Sequence, residues 1–343
     1  MSSSIIGGNR GGHTRVIAAE GVAPSGVIAV DKPEGPTSHD IVRHARRALD
    51  TRRVGHCGTL DPLASGLLLV CVGRLTRLSE WLTGADKQYT ATFRLGAVSD
   101  TADAQGQIRT VHAGAPSLQQ VENAVANWSG VIEQVPPSHS AIKVDGVRSY
   151  ERARRDEVVE LPARTVTVSR FDVEHYDYPQ VRVVVDCTKG TYIRALARDL
   201  GETLGCGGYV EALRRTRIGS VDLTAAIALD EIKECVSEYP EKLWIDPLTA
   251  LRDQMPAVGV DIEGARNFTR GRVVDARDVQ TESLSAELPH TSHLSGPPQS
   301  SGSTSAAIQS VEVAVCLGNA LLGVGQMEDD GLRPTRVLTE PTP

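Results

Sequence analysis

The sequence predicts an α+β fold with a mixed or antiparallel sheet, followed by a small β-rich terminal unit. Three observations predict it. Strand and helix patterns are interleaved without a strict βαβ rhythm, which argues against a doubly wound parallel sheet. No GxGxxG or Walker A string occurs, so nucleotide-cofactor folds lose their main support. From about residue 256 the pattern changes to short strands and a hairpin signal. The 343 residues are 40% hydrophobic and 23% charged, enough for a packed core. A prior of about 100–200 residues per domain suggests two or three domains.

Residues 1–24 are rich in Ser and Gly and are expected to be a flexible extension. Residues 26–31 read as a buried strand, stopped by Lys32-Pro33-Glu34-Gly35-Pro36. A helix then starts at Thr37, with Asp40 completing a capping box. Its apolar stripe is Ile41, Val42, Ala45, Ala48 and Leu49, and its other face carries Arg43, Arg46 and Arg47. The run Leu67-Leu68-Leu69-Val70-Cys71-Val72 fits a buried strand or a buried helix turn equally well. Tyr89, Ala91, Phe93 and Leu95 alternate with polar residues, as in a strand covered on one face. Residues 118–128 form a short amphipathic helix, and 166–168 and 181–187 further strands. After Thr188-Lys189-Gly190 a helix follows with Ile193, Leu196, Ala197, Leu200 and Leu204 on one face, ended by Gly205, Gly207 and Gly208. In the terminal unit, 258–260, 271–274 and 311–317 read as strands, with a hairpin turn at Gly318-Asn319 and a return over 321–325. The Ser/Pro/Gly/Thr-rich segment 279–310 is expected to be a disordered surface insertion. The domains expected are therefore 25–250 and 256–343.

Net charge is −7, which argues mildly against nucleic acid. Local basic groups argue the other way. Arg43, Arg46, Arg47, Arg52 and Arg53 form one, Arg148, Arg152, Arg154 and Arg155 a second, and Arg214, Arg215 and Arg217 a third. The six Cys contain no CxxC pair and no Cys/His set with zinc spacing, so reduced thiols in a cytoplasm are expected. No apolar leader or run of about 18 apolar residues suggests a secretory signal or membrane span.

The most informative string is Gly55-His56-Cys57-Gly58-Thr59-Leu60-Asp61-Pro62-Leu63-Ala64-Ser65-Gly66. Gly and Pro at this density hold a loop in one shape and place Asp61 at the rim of a core. Taken alone, Leu-Asp-Pro is more often a helix cap. Tyr89 at a strand start, Arg194 in the first turn of a helix and His56 each have an ordinary structural reading too. For Arg194 that reading is a pair with Asp199 or Glu202. Together they describe a carboxylate kept ionised in a partly closed pocket by an Arg, beside a phenol that stacks or moves a proton. One Asp acting as nucleophile or base without a cofactor fits that set.

The same string strongly resembles the catalytic motif of the bacterial TruB-type tRNA pseudouridine synthases. So do Val30-Asp31-Lys32-Pro33 with Gly35-Pro36-Thr37-Ser38, and Asp86-Lys87-Gln88-Tyr89. Gln134-Val135-Pro136-Pro137 with Ser140-Ala141-Ile142-Lys143, Gly190-Thr191-Tyr192-Ile193-Arg194 and Leu213-Arg214-Arg215 follow in order. The resemblance runs from about 25 to 250 and continues more weakly into a PUA-like RNA-binding segment. It implies isomerisation of uridine 55 in the tRNA T-loop to pseudouridine by base flipping, with no cofactor or metal. It implies that no protein partner is required. A monomer is expected because no oligomerisation pattern is seen, and the cysteine pattern and lack of long apolar runs predict a cytoplasmic chain with no membrane contact. Asp61 is then the essential carboxylate, acting at C1′. Tyr89 stacks on the base or takes the C2′ proton in a glycal route. Arg194 pairs with Asp61, Leu213 lines the uracil pocket, Tyr192 contacts substrate, and His56 helps hold the everted loop. Cys57 and Ser65 stand where Thr is usual, and His139 where Tyr is common. An RNA-folding role, with isomerisation secondary, is the alternative; a guide-RNA-dependent synthase is a third reading.

Overall fold

The computed structural model describes residues 24–138, 143–144, 147–148, 161–280 and 310–339. The N-terminal extension, His139, Ser140-Ala141-Ile142, the side chains of the second basic group and nearly all of the 279–310 segment lie outside the described residues.

A ten-stranded mixed sheet carries the first part of the chain. Its elements begin with β1 (Gly26–Lys32), α1 (Ser38–Ala48), β2 (Val54–His56), β3 (Ser65–Val72) and β4 (Lys87–Leu95). Then come α2 (Leu118–Ala126), β5 (Gly130–Gln134), β6 (Arg164–Asp177), β7 (Gln180–Cys187), α3 (Ile193–Thr203) and β8 (Gly208–Ile218). The short strands β9 (Val221–Asp222) and β10 (Ile227–Ala228) complete it. The order is β10-β1-β3-β8-β4-β7-β6-β5, with β2 on β3 and β9 on β8. β3 and β8 are parallel; β8 and β4, and β4 and β7, are antiparallel.

The apolar run at 67–72 resolves as a strand because both its faces are covered. Leu68, Val70 and Val72 enter one core cluster with Ile28, Val30, Phe93 and Leu196. Leu67, Leu69 and Cys71 enter a second, with Val27, Ala29, Leu78 and Ile218. β4 keeps the period-two pattern read from its sequence, with Tyr89, Ala91, Phe93 and Leu95 all in the first cluster. α3 lies over that face through Leu196, Ala197 and Leu200. α1 has the predicted capping box: the Asp40 amide donates to Thr37 Oγ1 and the Thr37 amide to Asp40 Oδ2.

The terminal unit is a five-stranded sheet of β11 (Ala257–Val260), β12 (Val279–Gln280), β13 (Val311–Leu317), β14 (Ala320–Glu328) and β15 (Gly331–Val337), ordered β12-β11-β13-β14-β15. The Gly318-Asn319 hairpin is present, with Leu317 opposite Ala320. The 271–274 strand is not: Gly271 turns with φ +73°, and Val274 makes only a single bridge to Leu332. The structure adds a helix, α4 (Ile262–Thr269), capped by Asp261 Oδ1 on the Gly264 amide at 2.7 Å. Its buried side chains are Ala265, Phe268 and Thr269, and Ile262 faces out, so its apolar pattern is too short to stand out in the sequence. The sheet's other face joins the first part of the chain: Ala314, Val324 and Leu338 pack in the cluster of Leu78 and Leu82. Arg77 Nη1 also donates to the Val337 carbonyl at 2.8 Å.

Candidate active site

The loop between β2 and β3 is pinned at every second carbonyl. Arg215 Nη2 donates to Gly58 O at 3.1 Å, and Ser38 Oγ to Leu60 O at 3.2 Å. The Gly35 amide donates to Pro62 O at 2.8 Å, and Lys32 Nζ to Ala64 O at 2.6 Å. Ser38 Oγ also accepts from the Leu60 amide at 2.9 Å. At Gly66, φ is +98° and a β-carbon would collide with the Arg215 carbonyl, so the loop's exit into the sheet requires glycine. Asp61 is thereby set in one place, its side chain about one-third exposed (36%).

Arg194 reaches it from the first turn of α3. Its Nε stands 2.9 Å from Asp61 Oδ2, and Nη2 donates to Oδ1 at 3.2 Å. Its Nη1 donates to the Thr101 carbonyl at 2.9 Å and lies 3.4 Å from Asp103 Oδ2. The local partners that sequence spacing suggested, Asp199 and Glu202, are not used; Asp199 pairs with Arg198 instead. The helix start has no side-chain cap of its own. Buried Gln134 supplies one from β5, accepting from the Tyr192 amide at 2.8 Å and donating to its carbonyl at 3.2 Å.

Burial is the larger influence on Asp61 and pushes its carboxyl above the ordinary range; Arg194 pulls it down, and Asp103 pushes it up again. This differs from the expectation that the Arg would hold it low. The reason is that Arg194 is shared with a second carboxylate and the site is partly desolvated.

Asp61 and Arg194 open onto a cavity of about 260 Å³. Of the six residues expected at the site, five line it: Asp61, Tyr89, Tyr192, Arg194 and Leu213. The register accounts for this, because Leu213 of β8 lies opposite Ala91 of β4, and Arg215 opposite Tyr89 and Gly66. Burial pushes the Tyr89 phenol up and Arg215 pulls it down, leaving it protonated at neutral pH. A protonated phenol can stack on a base and donate a hydrogen bond. Three further cations line the cavity: Lys87, Lys189 and Arg215. Sequence reading named none of them as a site residue, although Lys87 and Arg215 each lay inside a quoted motif. The Lys32 and Lys87 ammonium groups are lowered to about 8, by burial first in each case.

His56 is not among the cavity-lining residues. Its ring meets His39 of α1 edge-on at 5.2 Å between centroids, and burial followed by His39 lowers it to about 4. It is therefore neutral at physiological pH. The third basic group is largely turned to internal use: Arg214 pairs with Asp31 and Arg217 with Asp186, each at 2.6 Å, and Arg215 is buried. On α1, Arg46 donates to the Val54 carbonyl and Arg43 pairs with Asp40, while Arg47, Arg52 and Arg53 are exposed. Among the described residues no group of three His, Cys, Asp or Glu is placed to hold a metal ion. No helix there is long and apolar enough to cross a membrane.

Residues 46–193 match the model of the TruB family pseudouridylate synthase N-terminal domain, and 194–255 that of the tRNA pseudouridylate synthase B C-terminal domain. A protein named tRNA pseudouridine synthase B from Mycobacterium avium (strain 104) is 50% identical over 219 residues, 62% of this chain and 71% of that one. One of the same name from Arthrobacter sp. (strain FB24) is 50% identical over 260 residues, covering 74% and 83%. One from Mycobacterium bovis (strain BCG / Pasteur 1173P2) is 41% identical over 290 residues, covering 78% and 97%. Among solved structures, a chain of a Cbf5-Nop10-Gar1 complex superposes with a TM-score of 0.67 at 22% identity, covering 92% of this chain and 85% of that chain. At that identity the likeness speaks to fold.

Proposed function

The chain belongs to the TruB family of pseudouridylate synthases and is a tRNA-modifying isomerase, and from that premise we propose that its target is uridine 55 of the T-loop. The observation that carries the reading is the Asp61–Arg194 pair at the wall of a one-sided cavity lined by Tyr89, Tyr192 and Leu213. Such a cavity cannot admit a stacked base, so the nucleotide must be flipped out of its loop at a cost of a few kcal/mol. Tyr89 stacks on the flipped ring, Leu213 bounds it, and Asp61 meets C1′ on the sugar side. The N1–C1′ bond breaks, the ring turns, and C5 bonds to C1′. The C5 proton is lost and N1 gains one, so the product is an isomer. Exposed Arg47, Arg52 and Arg53 lie on the α1 side and are suited to phosphate. His56, neutral and edge-on to His39, supports the loop edge rather than the ring.

The unit from 256 onward is read as a PUA-like RNA-binding domain on the 25–250 catalytic domain. The chain acts as a monomer in the cytoplasm, without a protein partner. The test is pseudouridine mapping of an unmodified tRNA transcript with purified wild-type protein and Asp61→Asn. A single modified position at uridine 55, absent with the variant, supports the proposal. Modification elsewhere in the tRNA overturns the site. An inert wild type that still binds tRNA overturns the stand-alone enzyme and favours an RNA-folding role.

A further inference from the structure

Three arginines project from the end of β8, and they are treated differently. Arg214 and Arg217 each have a carboxylate at 2.6 Å. Arg215 between them is 1% exposed, faces the Tyr89 phenol, and has no carboxylate partner; it donates to carbonyls, Leu67 O at 2.7 Å and Gly58 O at 3.1 Å. Lys87, 6% exposed on the neighbouring strand, does the same: its Nζ donates to Thr83 O at 2.6 Å and to Ala85 O. The two cations converge. A β-carbon at Gly58 would stand 3.7 Å from Arg215 Nη1 and 3.8 Å from Lys87 Cε. Among the described residues neither has a carboxylate within ion-pair distance. Burying two like charges together without a counter-ion is costly, and burial already pulls Lys87 down to about 8. Both line the cavity. An arrangement that is unfavourable empty becomes favourable when an anion enters.

We propose that Lys87 and Arg215 are catalytic residues that bind the uracil ring as an anion after it has left the sugar. The inference rests on the pseudouridine synthase reading but not on a particular route. Whether Asp61 bonds to C1′ or a C2′ proton is removed, the N1–C1′ bond breaks with both electrons going to N1. The ring then carries one negative charge, spread over N1, O2 and O4. It loses that charge when C5 supplies the electron pair for the new bond to C1′. Between those steps the ring must be held yet free to turn. Charge at one side of the pocket meets that need better than a fixed set of hydrogen bonds, because the anion's charge stays on the ring in every orientation.

The test uses the full-length protein under single-turnover conditions on two transcripts, with uridine or 5-fluorouridine at the target site. Fluorine makes the departing ring a more stable anion that needs less help. Lys87→Gln retains N–H donors but loses the charge, Lys87→Met loses both, and Lys87→Arg retains charge. Loss of the N-glycoside and tRNA affinity are both measured. The neutral variants are expected to slow uridine by about 10²-fold but 5-fluorouridine by only about 10-fold, with affinity within about 3-fold and Lys87→Arg largely rescued. Equal losses on the two bases, or no loss, overturn the proposal. Failure of both neutral variants to fold assigns Lys87 to the scaffold and overturns it too. A wild type inert on the uridine transcript would instead remove the function reading itself.

Discussion

The helix side and the sheet side of the cavity hold their arginines in opposite ways. On the helix side, Arg194 stands between two carboxylates, Asp61 and Asp103. On the sheet side, Arg215 stands among carbonyls, with Lys87 for company. A cation between carboxylates has its charge balanced and acts as a positioner. A cation among dipoles keeps most of its charge for whatever enters. The pocket is thus polarised, with the Asp61 carboxylate at one side and the positive charge of Arg215 and Lys87 at the other.

The largest effect expected is from removing Asp61, the only carboxylate among the described residues that line the cavity. Asp61→Asn should lower the single-turnover rate by about 10⁴-fold, as for a carboxylate within a catalytic set. Filter binding should show tRNA affinity nearly unchanged. If affinity falls as steeply as rate, Asp61 is a binding group and the polarity argument fails.

Arg194→Met should come next, at about 10²–10³-fold in rate. It leaves Asp61 facing Asp103 with no cation between them, and like charges raise carboxyl pKa values. The acid limb of the pH–rate profile should therefore move to higher pH. Removal of Arg215 orphans no carboxylate, so Arg215→Met should leave that limb nearly in place. Coincident limbs for the two variants would erase the distinction between the two sides.

In the wild type the sign follows from the same groups. Asp61 is needed ionised and is raised by burial, so the rate should fall with decreasing pH earlier than an ordinary carboxylate would dictate. At the other end, Lys87 and Lys32, both near 8, lose their protons as pH rises. The rate should decline above pH of about 8, and Lys87→Arg should remove part of that decline. A profile flat through pH 8 to 9 would contradict the lysine assignment, and an acid limb within or below the ordinary carboxylate range would contradict that of Asp61.

Ser38→Ala should have the smallest effect. It removes both bonds to Leu60 and leaves that carbonyl and amide buried, costing about 1–3 kcal/mol of stability. Thermal melting should show the loss, with a modest fall in rate. A large fall in rate without a change in melting would mean that the loop's position depends on this one residue.

Much of this was legible in the sequence. The alternation at 89–95, the capping box at Thr37 and the Gly/Pro density around Asp61 all act locally, and all appear in the structure. What local rules missed depends on distance along the chain. The partner of Arg194 is 133 positions away, whereas Asp199 and Glu202, within one or two turns, were the obvious local candidates. Asp103 lies in a polar turn stretch that gives no sign of being buried. Arg215 looked like one of a basic cluster. Strand alternation separates it from Arg214, but only pairing with β4 and β3 shows that its side is the inner one. His56 sat in the right string yet turns toward His39 instead of into the cavity.

A loop tied at four alternate carbonyls to α1, β1, β8 and the 33–37 turn has no slack with which to follow a substrate. The adaptation must then come from the RNA. Substrates are sorted less by the contacts they offer than by how cheaply their own loop opens. A transcript whose target loop is already loosened should be modified faster than one locked by a stable fold, even with every phosphate in place.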